Sequence, residues 1–475
     1  MIERLAKWLT RKPRLVALAA VIMLIPAAIG YISTRINYDI LSYLPEDLES
    51  SQGEKLLEEP FKMAATSMLI VENMPAGYTN SLINDIKAID GVSNAIWISN
   101  LMGIQIPTDM IPANFRDMFF AGDATMMIIQ YSHPGASDET MECIEQVRKI
   151  CNEKCFLAGF SVVIKDTRDL MDSELPMFVG LAVLLALCAM LLTLESTVLP
   201  FIFLASIGFA VIYNFGSNIF LGEISYITKA IAAVLQLGVT MDYSIFLYHR
   251  YEEERANYTD NRDAMAAAIV AAFRSLSSSS VTTIAGFLAL CAMRLTLGRD
   301  IGIVMAKGVA LGVICTVVIL PALILTFDKW VEKYKHRTII PQLTRTSYFV
   351  SKHAAPIVAV FLVLLVPFVA AQQKTEVYYT LFDSLPQDLT GIVGTNKLGE
   401  DFGMTTSHFI LVHDDLTATQ VSDLCDELKD VDGITQVISL DSVTGPGFDT
   451  GLLPDSVTEI LQSGGYKLIL ANSSY

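Results

Sequence analysis

Residues 238–252, GVTMDYSIFLYHRYE, place one carboxylate, Asp242, inside an apolar run that extends from Ile224 to Tyr248. A helix of this length can cross the roughly 30 Å hydrocarbon core of a bilayer. An ionisable side chain at that depth is costly, so it indicates a functional site, and a carboxyl group there can carry a proton. The stretch therefore predicts a membrane helix whose role involves proton movement.

Other segments share this length and apolar character, and 52% of all residues are hydrophobic. The sequence predicts an α-helical polytopic membrane bundle, because about 18–25 apolar residues suffice for each crossing. Its seven predicted spans are Leu15–Ile32, Leu175–Leu194, Val198–Phe215, Ile224–Tyr248, Leu276–Met293, Ile301–Phe327 and Ala354–Ala371. The fifth is the least apolar, since it carries many hydroxyl groups.

The distribution of charge predicts the orientation of this bundle. Basic residues cluster before the first span and after the sixth, whereas segments 38–175 and 373–475 are strongly acidic. Loops rich in lysine and arginine stay in the cytoplasm, so the acidic segments are predicted outside. The net charge of −17 reflects these outer segments and gives no indication of nucleic-acid binding.

The second half of the chain repeats the first at an offset of 341 to 342 residues, which indicates a duplication. The matches are Leu44–Leu48 with Leu385–Leu389, Asp90–Val92 with Asp432–Ile434, Pro112 with Pro454, and Gly122 with Gly464. A complete second copy would continue past Tyr475 with five more spans. We therefore expect an N-terminal part of a longer protein; the alternative is a natural short form that pairs with a separate second half.

The first outside segment alternates between strand and helix periodicity. The predicted elements are strands Ser67–Val71, Val92–Ile98, Thr125–Tyr131 and Cys155–Ala158, and helices Tyr78–Ile89, Pro112–Phe120 and Asp138–Ile150. This order suits an α+β ferredoxin-like domain, although another compact α+β domain fits it equally. A polar helix, Lys165–Glu174, is expected to lead into the second span.

The cysteines allow one disulfide. Cys143 and Cys151 would lie about 12 Å apart on one helix, too far to bridge. Cys151 and Cys155 flank the predicted end of that helix in an oxidising compartment and can form a disulfide, with free thiols as the alternative. No metal-ligand spacing, phosphate loop or nucleophile elbow is present, so we predict no metal, no cofactor and no enzymatic activity.

Several polar groups are candidates to support Asp242. Burial disfavours the charged form of a carboxyl group, so we expect a buried Asp242 that loads and releases protons near neutral pH. Tyr243 can donate to a carboxylate on a neighbouring helix, and Gly238 permits close helix approach. The fifth span offers further hydroxyls that can bond Asp242, hold water or join helices, including Ser278, Ser279, Thr282 and Thr283. Lys229 and Lys307 lie near outer helix ends, where we expect them to extend to the interface.

The motif Gly238-x3-Asp-Tyr-x-Ile-Phe-Leu-x2-Arg-Tyr-x-Glu-Glu254 resembles the fourth helix of MmpL-type transporters of the RND superfamily. Ser278–Leu288 resembles their fifth helix and Gly308–Pro321 their sixth. The duplication and the paired outside domains fit this family as well, and the resemblance covers the whole chain. It implies proton-driven export of lipids and other amphiphiles by twelve helices in two repeats, with paired porter domains outside. It also implies that Asp242 and Tyr243 form one proton-relay pair, and that a second pair lies beyond Tyr475.

This resemblance implies a domain organisation. We expect the cytoplasmic N-terminus and first span at 1–34, a first porter domain at 35–174, spans two to six at 175–327, a cytoplasmic linker at 328–353, the seventh span at 354–372 and a truncated second porter domain at 373–475. The expected partners are membrane lipids, amphiphilic cargo and the missing C-terminal half or a companion chain; a homo-oligomer is compatible, and nucleic acid is not expected. The expected location is the cytoplasmic (inner) membrane of a bacterium.

Two other classes share this helix group. A SecDF-like component would use proton flow to assist protein export, but the Asp-Tyr motif suits it poorly. A sterol-sensing-like receptor would bind without pumping, and it has no need of a protonatable residue such as Asp242.

The predicted orientation can be tested by cysteine labelling in intact cells. Asp85→Cys should react with a membrane-impermeant maleimide added outside, whereas Lys335→Cys should react only after the cells are opened, because the acidic segments are placed outside. The reverse pattern would overturn the orientation.

Overall fold

The computed structural model describes residues 2–61, 63, 65–98, 116, 119–336, 344–375, 385–404, 406–441, 458 and 461–473. The chain forms two compact units. The membrane unit comprises Met1–Ile36, Leu175–Met293 and Leu297–Leu381, and the outer unit comprises Asn37–Glu174, Arg294–Thr296 and Phe382–Tyr475. Most of the predicted helix Pro112–Phe120 lies outside the described residues; Phe120 itself begins a short strand.

The seven predicted spans are confirmed as helices long and apolar enough to cross a bilayer, counted within the described ranges. Spans 1 to 7 are Pro13–Ser33, Phe160–Thr193, Leu199–Leu221, Tyr226–Arg255, Asn261–Ala292, Thr296–Thr326 and Ala354–Gln372. The remaining helices are α1 Ile2–Arg11, α2 Glu49–Glu58, α3 Ala76–Lys87, α4 Asp138–Ile150, α5 Asp328–Lys333, α6 Thr344–Lys352, α7 Thr390–Phe402 and α8 Ala418–Lys429. The strands are β1 Arg35–Asn37, β2 Ala65–Glu72, β3 Val92–Ile96, β4 Phe120–Ala121, β5 Ala124–Tyr131, β6 Cys155–Ala158, β7 Glu223–Ser225, β8 Thr406–His413, β9 Ile434–Ser439, β10 Gln462–Ser463 and β11 Tyr466–Ser473.

Local sequence signals explain where the central spans begin. Ser225 precedes span 4 and accepts a hydrogen bond from the Ile227 amide, and Asp260 accepts one from the Arg262 amide at the start of span 5. Such side-chain caps satisfy backbone N–H groups that have no partner within the helix. The expected polar helix before the second span is also present, since one helix runs without a break from Phe160 to Thr193.

Close backbone contact joins spans 1 and 3. A Cβ atom placed on Gly30 would lie 2.1 Å from the Gly216 carbonyl oxygen, and one on Gly216 would lie 2.2 Å from the Ala27 carbonyl oxygen. Only glycine fits at this crossing. Small residues allow membrane helices to approach closely and gain van der Waals contact, which is the main attraction available to helices in lipid.

The first sheet of the outer unit is antiparallel and has the strand order β3-β5-β2-β6, with β4 paired to β5. β2 and β5 pair from Ala65 opposite Tyr131 to Glu72 opposite Ala124. The helix α4 packs its apolar side inward, because Met141, Ile144 and Val147 are buried at helical spacing.

The second sheet repeats the first. Its order is β9-β11-β8, with β10 paired to β11, and each element lies 341 or 342 residues after its counterpart. Even the turns match, since Gly91 and Gly433 both have φ of 91° while Gly122 and Gly464 have φ of 56° and 57°. Side chains rarely adopt these left-handed angles, which explains why glycine stands at all four positions. The duplication predicted from sequence is therefore present in the backbone.

One helix of the second copy covers the first sheet. On α7, Leu398 packs in one cluster with Ile70, Met126 and Ala158. A Cβ atom on Gly394 would lie 2.3 Å from the Leu157 carbonyl oxygen, so glycine permits the helix to lie directly against β6. The two copies are thus joined within the outer unit.

Candidate proton site and outer cleft

Asp242 lies on the exposed side of span 4, in line with Gly238 and Phe246, which are also exposed. Residues four apart share one helix face. Tyr243 points the other way, is only 7% exposed and packs in the core cluster with Leu247. The expectation that Asp242 is buried among residues of this chain is therefore wrong, because the helix turns its opposite face towards its neighbours.

The hydroxyl groups of span 5 bond to their own helix. Thr282 donates to the Ser279 carbonyl oxygen at 2.7 Å and Thr283 donates to the same oxygen at 3.1 Å. Among the described residues, no hydrogen bond joins these groups or Ser278 to Asp242. Ser278, Ser279 and Thr282 are exposed, so they form a small, polar surface on span 5.

A buried polar network joins spans 3, 4 and 6, and sequence reasoning missed it. The Asn214 side-chain amide donates to Gln236 Oε1 at 2.9 Å, and Gln236 Nε2 donates to the Gly308 carbonyl oxygen at 3.2 Å. A Cβ atom on Gly308 would lie 2.7 Å from Asn214 Nδ2, so glycine leaves the space that this amide occupies. The sequence contains a pattern that indicates this network, because Thr228, Gln236 and Thr240 recur at multiples of four along span 4.

Lys307 belongs to the same network. Its ammonium group donates to the Asn214 carbonyl oxygen at 3.0 Å and to the Asn218 side-chain oxygen. The expectation that Lys307 extends to the interface is therefore wrong: buried acceptors on span 3 lie within its reach. Asp300, two turns earlier on span 6, accepts from the Ser225 amide at 2.8 Å and from the Thr228 hydroxyl.

The outer unit contains a cleft of about 1190 Å³. Its walls are largely apolar and come from both copies, with Leu44, Leu57 and Met68 on one side and Leu398 and Phe409 on the other. Ligand pockets for drug-sized molecules measure roughly 300–1,000 Å³. A cleft above that range has room for a long acyl chain.

Two polar contacts, one hydrogen bond and one ion pair, join α7 to the first copy near this cleft. The Asp166 carboxylate is 6% exposed, pairs with Arg148 at 2.7 Å and accepts the Gly391 amide at 2.6 Å. It therefore places a negative charge at the N-terminus of α7, where the helix dipole favours one. Further along α7, Lys397 pairs with Glu72 and lies 4.4 Å from the Phe156 ring centre.

Cys151 and Cys155 are present as thiols that share a hydrogen bond. A hydrogen bond from Cys151 lowers the pKa of Cys155 to about 6, against the opposing effect of burial. The same bond, with burial, raises the pKa of Cys151. Cys155 also lies 3.9 Å from the Tyr78 hydroxyl, so it is the reactive member of the pair. The disulfide between them remains a prediction.

These features define a polytopic helical membrane protein with a duplicated outer unit. The family model described as MMPL matches residues 65–357. The chain belongs to the MMPL family.

Curated relatives and one solved structure show the extent of this similarity. A membrane protein of Methanocaldococcus jannaschii is 23% identical over 69% of this chain and 94% of its own length. The mycolic acid-containing lipids exporter MmpL11 of Mycolicibacterium smegmatis is 24% identical over 37% of this chain, which spans only 20% of that exporter. A crystal structure of SecDF in its super-membrane-facing form is 16% identical and covers 68% of this chain and 38% of its own, with a TM-score of 0.34.

Replacement of Gln236 tests the buried network. Gln236→Leu removes two hydrogen bonds and leaves the Asn214 amide unpaired, so the free energy of unfolding should fall by about 1–2 kcal/mol. Unfolding in detergent micelles measures this change, with Leu235→Met on the exposed side of the same helix as the control. An unchanged or more stable Gln236→Leu protein would show that the network does not stabilise the bundle.

The pH dependence of alkylation tests the thiol pair. The thiolate is the reactive form, so the rate at which iodoacetamide modifies Cys155 should rise as the pH increases through about 6. Cys151→Ala removes the donor and should move that rise towards the ordinary thiol value. Equal pH profiles would contradict the coupling, and labelling that requires a reductant would reveal a disulfide.

Proposed function

We propose that this chain forms the first repeat of a proton-driven transporter that exports amphiphilic lipids across the membrane. The observation that carries the proposal is the position of Asp242 on the exposed stripe of span 4. A carboxylate within the apolar part of a span is costly when it faces lipid, and such residues face a bundle interior or a water-filled cavity instead.

The exposed residues around Asp242 support a second repeat as the partner that covers this face of span 4. Gly238 on span 4 and Gly286 on span 5 are exposed, as are Ser279 and Thr282. Small and hydroxyl residues form close helix–helix contacts in membranes. A second copy of the bundle, in the same chain or a companion, would cover Asp242 and set its Asp-Tyr pair against Asp242 and Tyr243, with Ser278 and Thr283 as supporting hydroxyls.

The outer cleft is the proposed cargo site. Its volume and apolar walls suit an acyl chain, and the similarity to an exporter of mycolic acid-containing lipids supports the same class of cargo. The strand order β3-β5-β2-β6, antiparallel throughout, supports a ferredoxin-like assignment for the first porter domain at 35–174, with 373–475 contributing the second. The basic N-terminus supports an orientation in which that end lies in the cytoplasm, and the location that we propose is the cytoplasmic membrane of a bacterium.

The coupling role of Asp242 can be tested in vesicles that contain the complete protein. Asp242→Asn should reduce export driven by a pH gradient by roughly 10²-fold while preserving expression, because asparagine keeps the shape but cannot bind and release a proton. Tyr243→Phe should lose about tenfold, since it removes one hydrogen bond and no titrating group. His249→Gln, on the same exposed stripe, is the matched control.

Two outcomes would contradict this role. Export by Asp242→Asn at the wild-type rate would exclude Asp242 as the coupling group. Export that follows a sodium gradient and ignores the pH gradient would exclude the proton as the coupling ion.

A further inference from the structure

The polar network of spans 3, 4 and 6 extends through most of the bundle in regular layers. Thr228 contacts Asp300, Gln236 contacts Gly308, and a Cβ atom on Gly312 would lie 2.6 Å from Thr240 Oγ1. All three contacts have an offset of 72 residues, so spans 4 and 6 run parallel and in register. The helical repeat then sets Thr316 beside Ser244, one turn further along.

The layers lie on the buried side of span 4, away from Asp242. Thr228 and Gln236 are at most 2% exposed, and Thr240 and Ser244 are fully buried. From Thr228 to Ser244 the row is 16 residues long, or about 24 Å at 1.5 Å per residue. This length approaches the roughly 30 Å hydrocarbon thickness of a bilayer.

Polar atoms without partners occur at several levels of this row. Within the described ranges, ten buried side-chain atoms have no hydrogen-bond partner, and five of them lie along this row: Asn218 Nδ2, Asn214 Oδ1, Thr240 Oγ1, Ser206 Oγ and Thr316 Oγ1. Ser206 and Asn214 lie two turns apart on span 3, so these atoms follow the same axis. An unpaired buried polar group costs about 1–3 kcal/mol, and ordered water is its usual partner.

The two ends of the row differ. By the predicted orientation, Asp300 and Lys307 lie at the outer end, and both are only partly buried. One turn inward of Ser244, Leu320 is fully buried, Ile202 is 5% exposed, and the Tyr248 hydroxyl donates away to Glu252 at 2.9 Å. The inner end is therefore closed by apolar side chains.

We propose that spans 3, 4 and 6 enclose a file of water molecules, open to the outside and closed inside, through which protons reach the depth of Asp242. Asp300 and Lys307 can each exchange a proton at the mouth. The hydroxyls of Thr240, Ser206 and Thr316 continue the file inward. Tyr243, three residues after Thr240 and on the buried half of span 4, lies between this file and Asp242. This inference rests on the proton-coupled function proposed above.

Proton uptake into vesicles that contain the complete protein tests the file. An acid-outside gradient is imposed and a pH-sensitive dye inside reports the rate. Thr240→Val and Thr316→Val keep the side-chain shape but remove the hydroxyl, so each should slow uptake about tenfold without lowering the unfolding temperature. Thr240→Ser should restore the rate. Thr193→Val, which removes an exposed hydroxyl from span 2, should take up protons like the wild type.

The outcomes separate this inference from the proposed function. If the double variant Thr240→Val/Thr316→Val takes up protons at the wild-type rate, the proposed file of water is wrong. The file is also wrong if the valine variants are slow but have a lower unfolding temperature, and if Thr240→Ser does not restore the rate. If both valine variants remain fast while Asp242→Asn is slow, the file is wrong and the coupling role of Asp242 stands. If Asp242→Asn is fast while the valine variants are slow, the file stands and the coupling role fails.

Discussion

The bilayer interior offers no hydrogen-bond partners, and this constraint organises the membrane unit. Span 4 meets it differently on its two sides. Its buried side places Thr228 and Gln236 against spans 3 and 6, where glycines such as Gly308 leave room for polar side chains. Its other side exposes Asp242, a carboxylate that is costly to place against lipid. The same helix therefore has one face that completes this bundle and one that, in the function proposed above, a second repeat would cover.

In the outer unit, the packing of α7 on the first sheet both stabilises the fold and forms part of the cleft. The first sheet is not covered by its own copy alone, because α7 of the second copy packs on it through Leu398. The buried Asp166 carboxylate fixes the start of that helix, and Lys397 fixes its middle through Glu72. The cleft beside this helix is lined by both copies.

Much of the fold could be predicted because its signals are local. Apolar length identified the seven spans, and the offset between copies revealed the duplication down to the glycines at 122 and 464. The side of span 4 that faces its neighbours was not predicted, since polar residues lie on both sides of the helix, Thr240 on one and Asp242 on the other, and the packing of spans 3 and 6 decides which side is buried. The position of Lys307 was missed for the same reason: its acceptors on span 3 are about 90 residues away in the chain.

The placement of α7 constrains how the protein is made. The strands of the first sheet are complete once Ala158 has been synthesised, yet the helix that covers Ile70 and Met126 ends at Phe402, about 240 residues later. At roughly 5–20 residues per second, ribosomes need about 12–50 s to supply it. During that interval the six spans that follow Ala158 are synthesised, while the apolar surface of the first sheet is still without the helix that covers it. Folding of the first sheet is thus completed only after α7 has been translated. A ribosome that stalls before α7 leaves an aggregation-prone intermediate.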